Sequence, residues 1–325
     1  MNHYSPLIGA LVTLLVTAIL LFSKVGKTIQ DIPNDRSLHT EPTPRIGGIG
    51  LMAGVLSAWA LMLMSLAWWV VLPAIFLFGV SLLDDVRGLP VRLRLLAHCV
   101  AAAVLVLGAG LAAHAVLPAL LVLLGVLWMT NLYNFMDGSD GLAGGMTFFG
   151  FTMYGMAALM HGDDMQAMLN FSIGAAALGF LYFNFYPAKV FMGDAGSIPL
   201  GFLAAAMGLW GWQQQHWPAW FPLLVFSPFI VDATVTLMKR TLRGEKIWNA
   251  HREHYYQRLV QLGWGHRNTA LLGFSLMFAA GASALFYVRH SPAYPWPLLG
   301  IWAGIYAGLM LLLDYRWKAQ RGHIV

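Results

Sequence analysis

Residues 116–140 read VLPALLVLLGVLWMTNLYNFMDGSD. From Val116 to Tyr133 no side chain carries a formal charge, and an apolar run of about twenty residues is long enough to cross a bilayer as a helix. Asn131, Asn134, Asp137 and Asp140 then follow at three-residue intervals. The whole chain repeats the first half of this pattern. Of its 325 residues 59% are hydrophobic and only 10% are Asp, Glu, Lys or Arg, whereas a soluble domain carries roughly 25% charged residues. Too few charges are present to cover a water-exposed surface, so soluble and disordered classes are excluded. A collagen-like or disulfide-rich chain is excluded too, because Cys99 is the single cysteine and no internal disulfide can form. A formal net charge of +5 would suggest nucleic acid in a soluble protein. In a membrane chain it sets topology instead, and no nucleic-acid partner is expected. The sequence is that of an all-α, polytopic membrane bundle.

Runs of this kind fall at 6–22, 46–64, 68–83, 96–109, 116–133, 142–160, 167–186, 197–212, 220–238, 270–288 and 297–313, about eleven spans in one domain covering 1–325. The first is read as a retained span, because residues 1–5 lack the Lys or Arg of a signal peptide. Eighteen of the nineteen basic residues lie in alternate connections or the C-terminal tail, among them Lys24, Lys27, Arg36, Arg45, Arg87, Arg92, Arg94 and the cluster from Lys239 to Arg267; Arg289 alone lies on the other side. Positive charge favours the cytoplasmic side. The N-terminus is therefore expected outside, in the periplasm, and the C-terminus in the cytoplasm.

Most acidic residues share that side. Asp84-Asp85, followed by Arg87, closes the third span: paired carboxylates can hold Mg²⁺ beside phosphates, or can be a solvated helix end. The Asn131–Asp140 repeat would line one helix face if the helix continued. A break at Gly138 or Gly141 would instead free backbone N–H groups for an anion. Its spacing is not that of an EF-hand. In Phe191-Met-Gly193-Asp194-Ala-Gly196-Ser197, Asp194 fits either a helix cap or a metal ligand. His251-Arg252-Glu253-His254 lacks a zinc-protease pattern and suits phosphate contact or anchoring of a basic loop at the membrane surface. The turn Thr43-Pro-Arg45-Ile-Gly47-Gly48 suits a phosphate or close helix packing equally. His98 and Asp232 lie within spans and are left unassigned. Converging carboxylates and cations at one membrane face point to Mg²⁺-assisted work on a phosphorylated ligand. A transporter, the competing class, would place its ionisable groups near the midplane, whereas Asp232 is the only acid within a span and the other acidic clusters gather on one face.

At Asp84-Asp85, Asn131-x-x-Asn134-x-x-Asp137-Gly-x-Asp140-Gly-Leu-Ala and Phe191-Met-Gly193-Asp194-x-Gly-Ser, the chain resembles the polyprenyl-phosphate N-acetylhexosamine-1-phosphate transferases of glycosyltransferase family 4. The resemblance covers about residues 33–260. It implies a multi-pass enzyme of the bacterial inner membrane, embedded among its lipids, that moves a sugar 1-phosphate from a UDP-N-acetylhexosamine to undecaprenyl phosphate and releases UMP. It further implies Mg²⁺ (with Mn²⁺ as a substitute) on Asp194 and Asn134, and a catalytic role for Asp84 and Asp85. Asn131, Asp137, Asp140 and Gly193 would shape the nucleotide pocket, with Phe191 stacking on uracil. Arg45, His251, Arg252 and His254 would meet the diphosphate or sugar. A homodimer is compatible with the resemblance. The histidine segment departs from the His-x-His-His of the peptidoglycan and GlcNAc branches, with Glu253 in the third place. By that criterion the chain is most like the O-antigen-initiating branch.

Overall fold

The computed structural model describes residues 3–33, 38–39, 41–113, 115–246, 251–290 and 293–322; Arg36, counted among the basic residues, lies outside them. Each of the eleven expected runs overlaps helix, and among the described residues nine helices are long and apolar enough to cross a membrane. In chain order the helices are α1 (Ser5–Phe22), the short α2 (Lys24–Thr28), α3 (Gly47–Ala60), α4 (Trp68–Arg87), α5 (Val91–Gly108), α6 (Val116–Phe135), α7 (Leu142–Met160), α8 (Asp164–Asn184), α9 (Asp194–Gln213), α10 (Trp220–Val225), α11 (Ser227–Leu242), α12 (Tyr255–Leu259), α13 (Gly265–His290) and α14 (Trp296–Gly322). Among the described residues the only strands are β1 (Gln30–Asp31) and β2 (Thr43–Pro44), antiparallel with Gln30 opposite Pro44. The chain is thus a polytopic helical bundle.

Two spans differ from expectation. Helix α3 has 14 residues, about 21 Å at 1.5 Å per residue, so it is too short to cross alone. The run 220–238 is divided at Phe226 into α10 and α11. Pro228 opens α11, where its missing N–H is tolerated, and Ser227 Oγ donates to Leu224 O at 2.6 Å. Conversely, α5 begins at Val91, which lengthens the shortest expected span and makes Arg92 and Arg94 part of its first turn.

Packing follows side-chain size. In α1 the buried residues are Ser5, Gly9, Thr13 and Thr17, one stripe at four-residue spacing, while Leu7, Leu11, Leu15 and Ile19 point outward. The stripe meets glycines: a Cβ on Gly54 of α3 would overlap Thr13 Oγ1, and one on Gly179 of α8 would lie 2.8 Å from Ala10 O. Small residues let backbones approach where lipid supplies no hydrophobic drive for association. At the centre α9 is almost wholly enclosed, touching α3, α4, α6 and α7. Its N-terminus, the C-termini of α4 and α6, the β1–β2 ladder and α12 meet at one end of the bundle.

Candidate active site

That end holds a cavity of about 1570 Å³. Its floor is the start of α9. Gly193 precedes the helix with φ +71° and ψ 175°, a conformation nearly closed to other residues. A Cβ there would also sit 2.8 Å from Asp85 Oδ2. Gly193→Ala therefore strains the backbone by about 1–3 kcal/mol and drives a carboxylate off its partners. Lower thermal stability and lost turnover are expected together, measured by unfolding in detergent and by product assay.

The two carboxylates closing α4 separate in role. Asp85 turns under α9 and accepts from the Asp194 N–H at 3.2 Å and the Ala195 N–H at 2.8 Å, satisfying donors that a helix start leaves free. It does not line the cavity. Asp84 does. One of its oxygens accepts from the Leu89 N–H, and the other is 3.0 Å from Arg94 Nη1. The same guanidinium nitrogen lies 3.4 Å from Asp194 Oδ2, so Arg94 bridges two carboxylates from different helices.

Helix α6 continues through Asn131 and Asn134 and stops at Phe135. The repeat is thus half helix and half loop: Asn131 and Asn134 share a face, whereas Asp137 and Asp140 follow the break. Asn131 Nδ2 donates to Leu127 O. Asn134 Nδ2 donates to Asp194 Oδ1 at 2.7 Å and to Ser197 Oγ at 3.0 Å. Ser197 Oγ–H is itself committed to Gly193 O at 3.1 Å, so Asn134 must present its nitrogen there. Asn134 is thus a donor that aims Asp194 through Nδ2, and its Oδ1 is the atom that could join Asp194 on a metal ion. Asp140 is buried; it accepts from the Ala188 N–H at 3.0 Å and faces His266 Nδ1 at 3.6 Å, tying the loop to its neighbours. Asp137 lines the cavity and receives no hydrogen bond from the described residues. Burial, and after it the Asp194, Asp85 and Asp31 carboxylates, push its carboxyl well above the ordinary range.

The segment Phe191–Met192 runs along the Thr43–Gly48 turn. Phe191 N donates to Pro44 O, and Gly47 N and Gly48 N donate to Phe191 O and Met192 O. Of the two readings of that turn, close packing accounts for its glycines, since a Cβ on Gly48 would overlap Gly196. Arg45 nonetheless reaches the cavity, 3.9 Å from Asp85 and 4.0 Å from Asp31. Phe191 presents its ring there, in edge contact with His39 at 4.8 Å.

The histidine segment divides. His251 and His254 line the cavity, with rings 4.8 Å apart. Burial, then His254 and Arg240, lower the His251 pKa to about 4, so its imidazole is neutral at physiological pH. Arg252 is exposed and does not line the cavity; its backbone carbonyl accepts from Gln261. Glu253 is turned away into Arg240, Arg243 and Arg258 at 3.2, 2.6 and 3.7 Å. Arg94, His39 and His266 belong to the site without having been singled out from sequence. An Arg-x-Arg opening a span was the one signal for Arg94. For His266, 126 residues from Asp140, no local pattern existed.

Among the described residues no three His, Cys, Asp or Glu side chains are grouped to enclose a metal ion. The cavity instead offers hard oxygen donors, Asp84, Asp137 and Asp194, around open space. That donor set fits a Mg²⁺-type ion completed by substrate phosphates and water.

Residues 66–211 match Glycosyl transferase family 4. The chain is 28% identical to the "Probable undecaprenyl-phosphate N-acetylglucosaminyl 1-phosphate transferase" of Bacillus subtilis (strain 168), over 86% of this chain and 83% of that one. It is also 28% identical to the decaprenyl-phosphate N-acetylglucosaminephosphotransferase of Mycobacterium tuberculosis (strain CDC 1551 / Oshkosh), over 84% and 80%. A Staphylococcus saprophyticus phospho-N-acetylmuramoyl-pentapeptide-transferase is 30% identical over 54% and 49%. The matched residues run through α4–α9, which carry Asp84, Asn134, Asp137 and Asp194, so the part of the chain that builds the site is the part similar to glycosyl transferase family 4.

Proposed function

We propose that the protein transfers an N-acetylhexosamine 1-phosphate from a UDP-sugar to undecaprenyl phosphate, releasing UMP, on the cytoplasmic face of the bacterial inner membrane. The observation that carries this reading is Asp137. A recessed carboxylate with no donor among the described residues, its charge opposed by burial and then by Asp194, Asp85 and Asp31, is costly for the folded chain and is explained by a cation that arrives with substrate. Asp194 and Asp137 would hold Mg²⁺, with Asn134 keeping Asp194 aimed; when bound, the ion neutralises charge on the diphosphate. Mn²⁺ prefers the same oxygen donors.

The attacking group needs little activation. A phosphate monoester has a second pKa near 6, so the lipid phosphate is mostly dianionic at neutral pH. Its oxygen forms a bond to the sugar-bearing phosphorus. The bond from that phosphorus to the bridging oxygen breaks, and UMP leaves with the electron pair. Arg94 and Arg45, both at the cavity, are placed to meet phosphate oxygens, and Phe191 offers a face for the uracil. Positioning and electrostatics dominate such transfers. Accordingly Asp84→Asn lowers turnover on the order of 10²-fold equally from pH 6 to pH 9. A defect that vanishes as pH rises would assign Asp84 to proton abstraction instead.

For the donor, the Glu253 departure favours a sugar of the O-antigen-initiating type, such as N-acetylfucosamine or N-acetylquinovosamine, over GlcNAc or MurNAc-pentapeptide. The deciding experiment measures UMP release from a panel of UDP-N-acetylhexosamines with undecaprenyl phosphate and Mg²⁺. Turnover with at least one donor is expected. Absence of turnover with all, combined with substrate flux into proteoliposomes, would make the protein a transporter.

A further inference from the structure

Asp232 is a carboxylate on α11, 6% exposed, outside every role described so far. Burying a carboxylate is unfavourable unless hydrogen bonds and charge compensate. Here the compensation is unusually complete. Oδ1 accepts from the Tyr255 N–H at 2.8 Å and from Thr236 Oγ1 at 3.1 Å, and Oδ2 accepts from the Tyr256 N–H at 3.0 Å. Both oxygens thereby hold the first turn of α12, a helix of five residues that could not persist alone.

What that turn carries is the cavity-lining histidine. His254 immediately precedes α12, is 3% exposed, and has Nδ1 3.4 Å from Asp232 Oδ1, a charge contact in which this buried nitrogen makes no aligned hydrogen bond. Its ring is stacked between Phe135 and Tyr256 at 6.3 and 5.9 Å. Tyr256 Oη donates to Phe135 O at 3.0 Å, two residues before Asp137. The same short helix therefore registers the histidine against the end of α6. By its charge alone, a carboxylate 3.4 Å from an otherwise unpartnered Nδ1 favours the imidazole that carries its proton there, leaving Nε2 as the nitrogen available to a ligand.

We infer that Asp232 is a positioning residue: it acts through His254, setting the place and the tautomer of that imidazole at the cavity. The kinetic part of this inference rests on the transferase reading above; the tautomer part does not.

Two measurements test it. In detergent-solubilised full-length protein labelled with [¹⁵N]histidine, the His254 resonances are identified by their loss in His254→Ala. The Nδ1-protonated form is expected in the wild type, with a shift toward the Nε2-protonated form in Asp232→Asn. An unchanged tautomer would overturn the inference whether or not the protein proves to be a transferase. In turnover assays Asp232→Asn is expected to lower kcat/KM roughly 10- to 100-fold, the range seen when a partner orienting an imidazole is removed. Asp232→Glu, which keeps the charge, recovers part of it. Adding Asp232→Asn to His254→Ala then changes rate by less than about threefold, the non-additivity expected of residues acting as one unit. Multiplicative losses in the double variant would reduce Asp232 to a helix cap. Thermal unfolding of each variant separates either result from misfolding. Wild type without UMP release overturns the transferase reading alone.

Discussion

Asp194→Asn is expected to slow the proposed sugar-phosphate transfer steeply and to leave the bundle standing. The substitution preserves shape and an oxygen at the position where Asn134 donates at 2.7 Å, and the Asp194 backbone N–H still reaches Asp85. What disappears is the negative charge that would hold the cation and that now faces Arg94 at 3.4 Å. Loss of one preorganised electrostatic partner at a reacting centre lowers turnover about 10²- to 10³-fold. The check is steady-state UMP release at saturating donor and lipid, with Mg²⁺ titrated: the variant should need more Mg²⁺ as well as turning over more slowly. A decrease confined to the KM for the UDP-sugar, with the same Mg²⁺ dependence, would place Asp194 in nucleotide recognition instead.

Asp137→Asn has an opposite pair of consequences. Burial, and after it the neighbouring carboxylates, raise the Asp137 carboxyl above its unfolded value of 3.8. A group whose acid form is favoured by folding stabilises the protein at low pH, and that contribution is lost as pH rises through the folded-state value. Near neutrality the ionised side chain is therefore a burden on the metal-free protein. Asparagine removes it, so the unfolding temperature without Mg²⁺ should rise by a few degrees while turnover falls on the order of 10²-fold. Added Mg²⁺ should stabilise the wild type more than the variant, since a ligand raises stability only in the state that binds it. Thermal scans with and without Mg²⁺ test both signs. A variant less stable than wild type without Mg²⁺ would make Asp137 a structural residue.

The sequence made the bundle legible because lipid imposes one strong constraint. Each spanning segment must bury its own backbone polar groups, which leaves an apolar run that can be seen locally. The breaks were harder. Division at Phe226 depends on Pro228 and on the Ser227 hydroxyl finding Leu224 O, whereas the apolar run 220–238 passes through it without change. The site was legible as clusters but not as roles. Asp84 and Asp85 are adjacent in sequence, yet Asp84 faces the cavity and Asp85 caps α9. That division follows from helix geometry against a partner more than a hundred residues away. Asn134 was found by its spacing, but its orientation follows from the Ser197 hydroxyl, visible only once α6 and α9 are packed. Glu253 shows the same limit: as a sequence departure it suggests donor selection, while its side chain lies among three arginines and not in the cavity.

The enclosure of α9 has a consequence for how the enzyme tolerates its surroundings. Helices that face lipid adjust to changes in bilayer thickness by tilting, and α1 and α14 are the exposed members that would do so. Helix α9 touches little lipid and is gripped by α3, α4, α6 and α7, so such tilts are absorbed before they reach Asp194. The charge-bearing end of α9 is insulated from membrane composition. On the proposed reading, a lipid acceptor would then meet the same arrangement of carboxylates in bilayers of varied thickness.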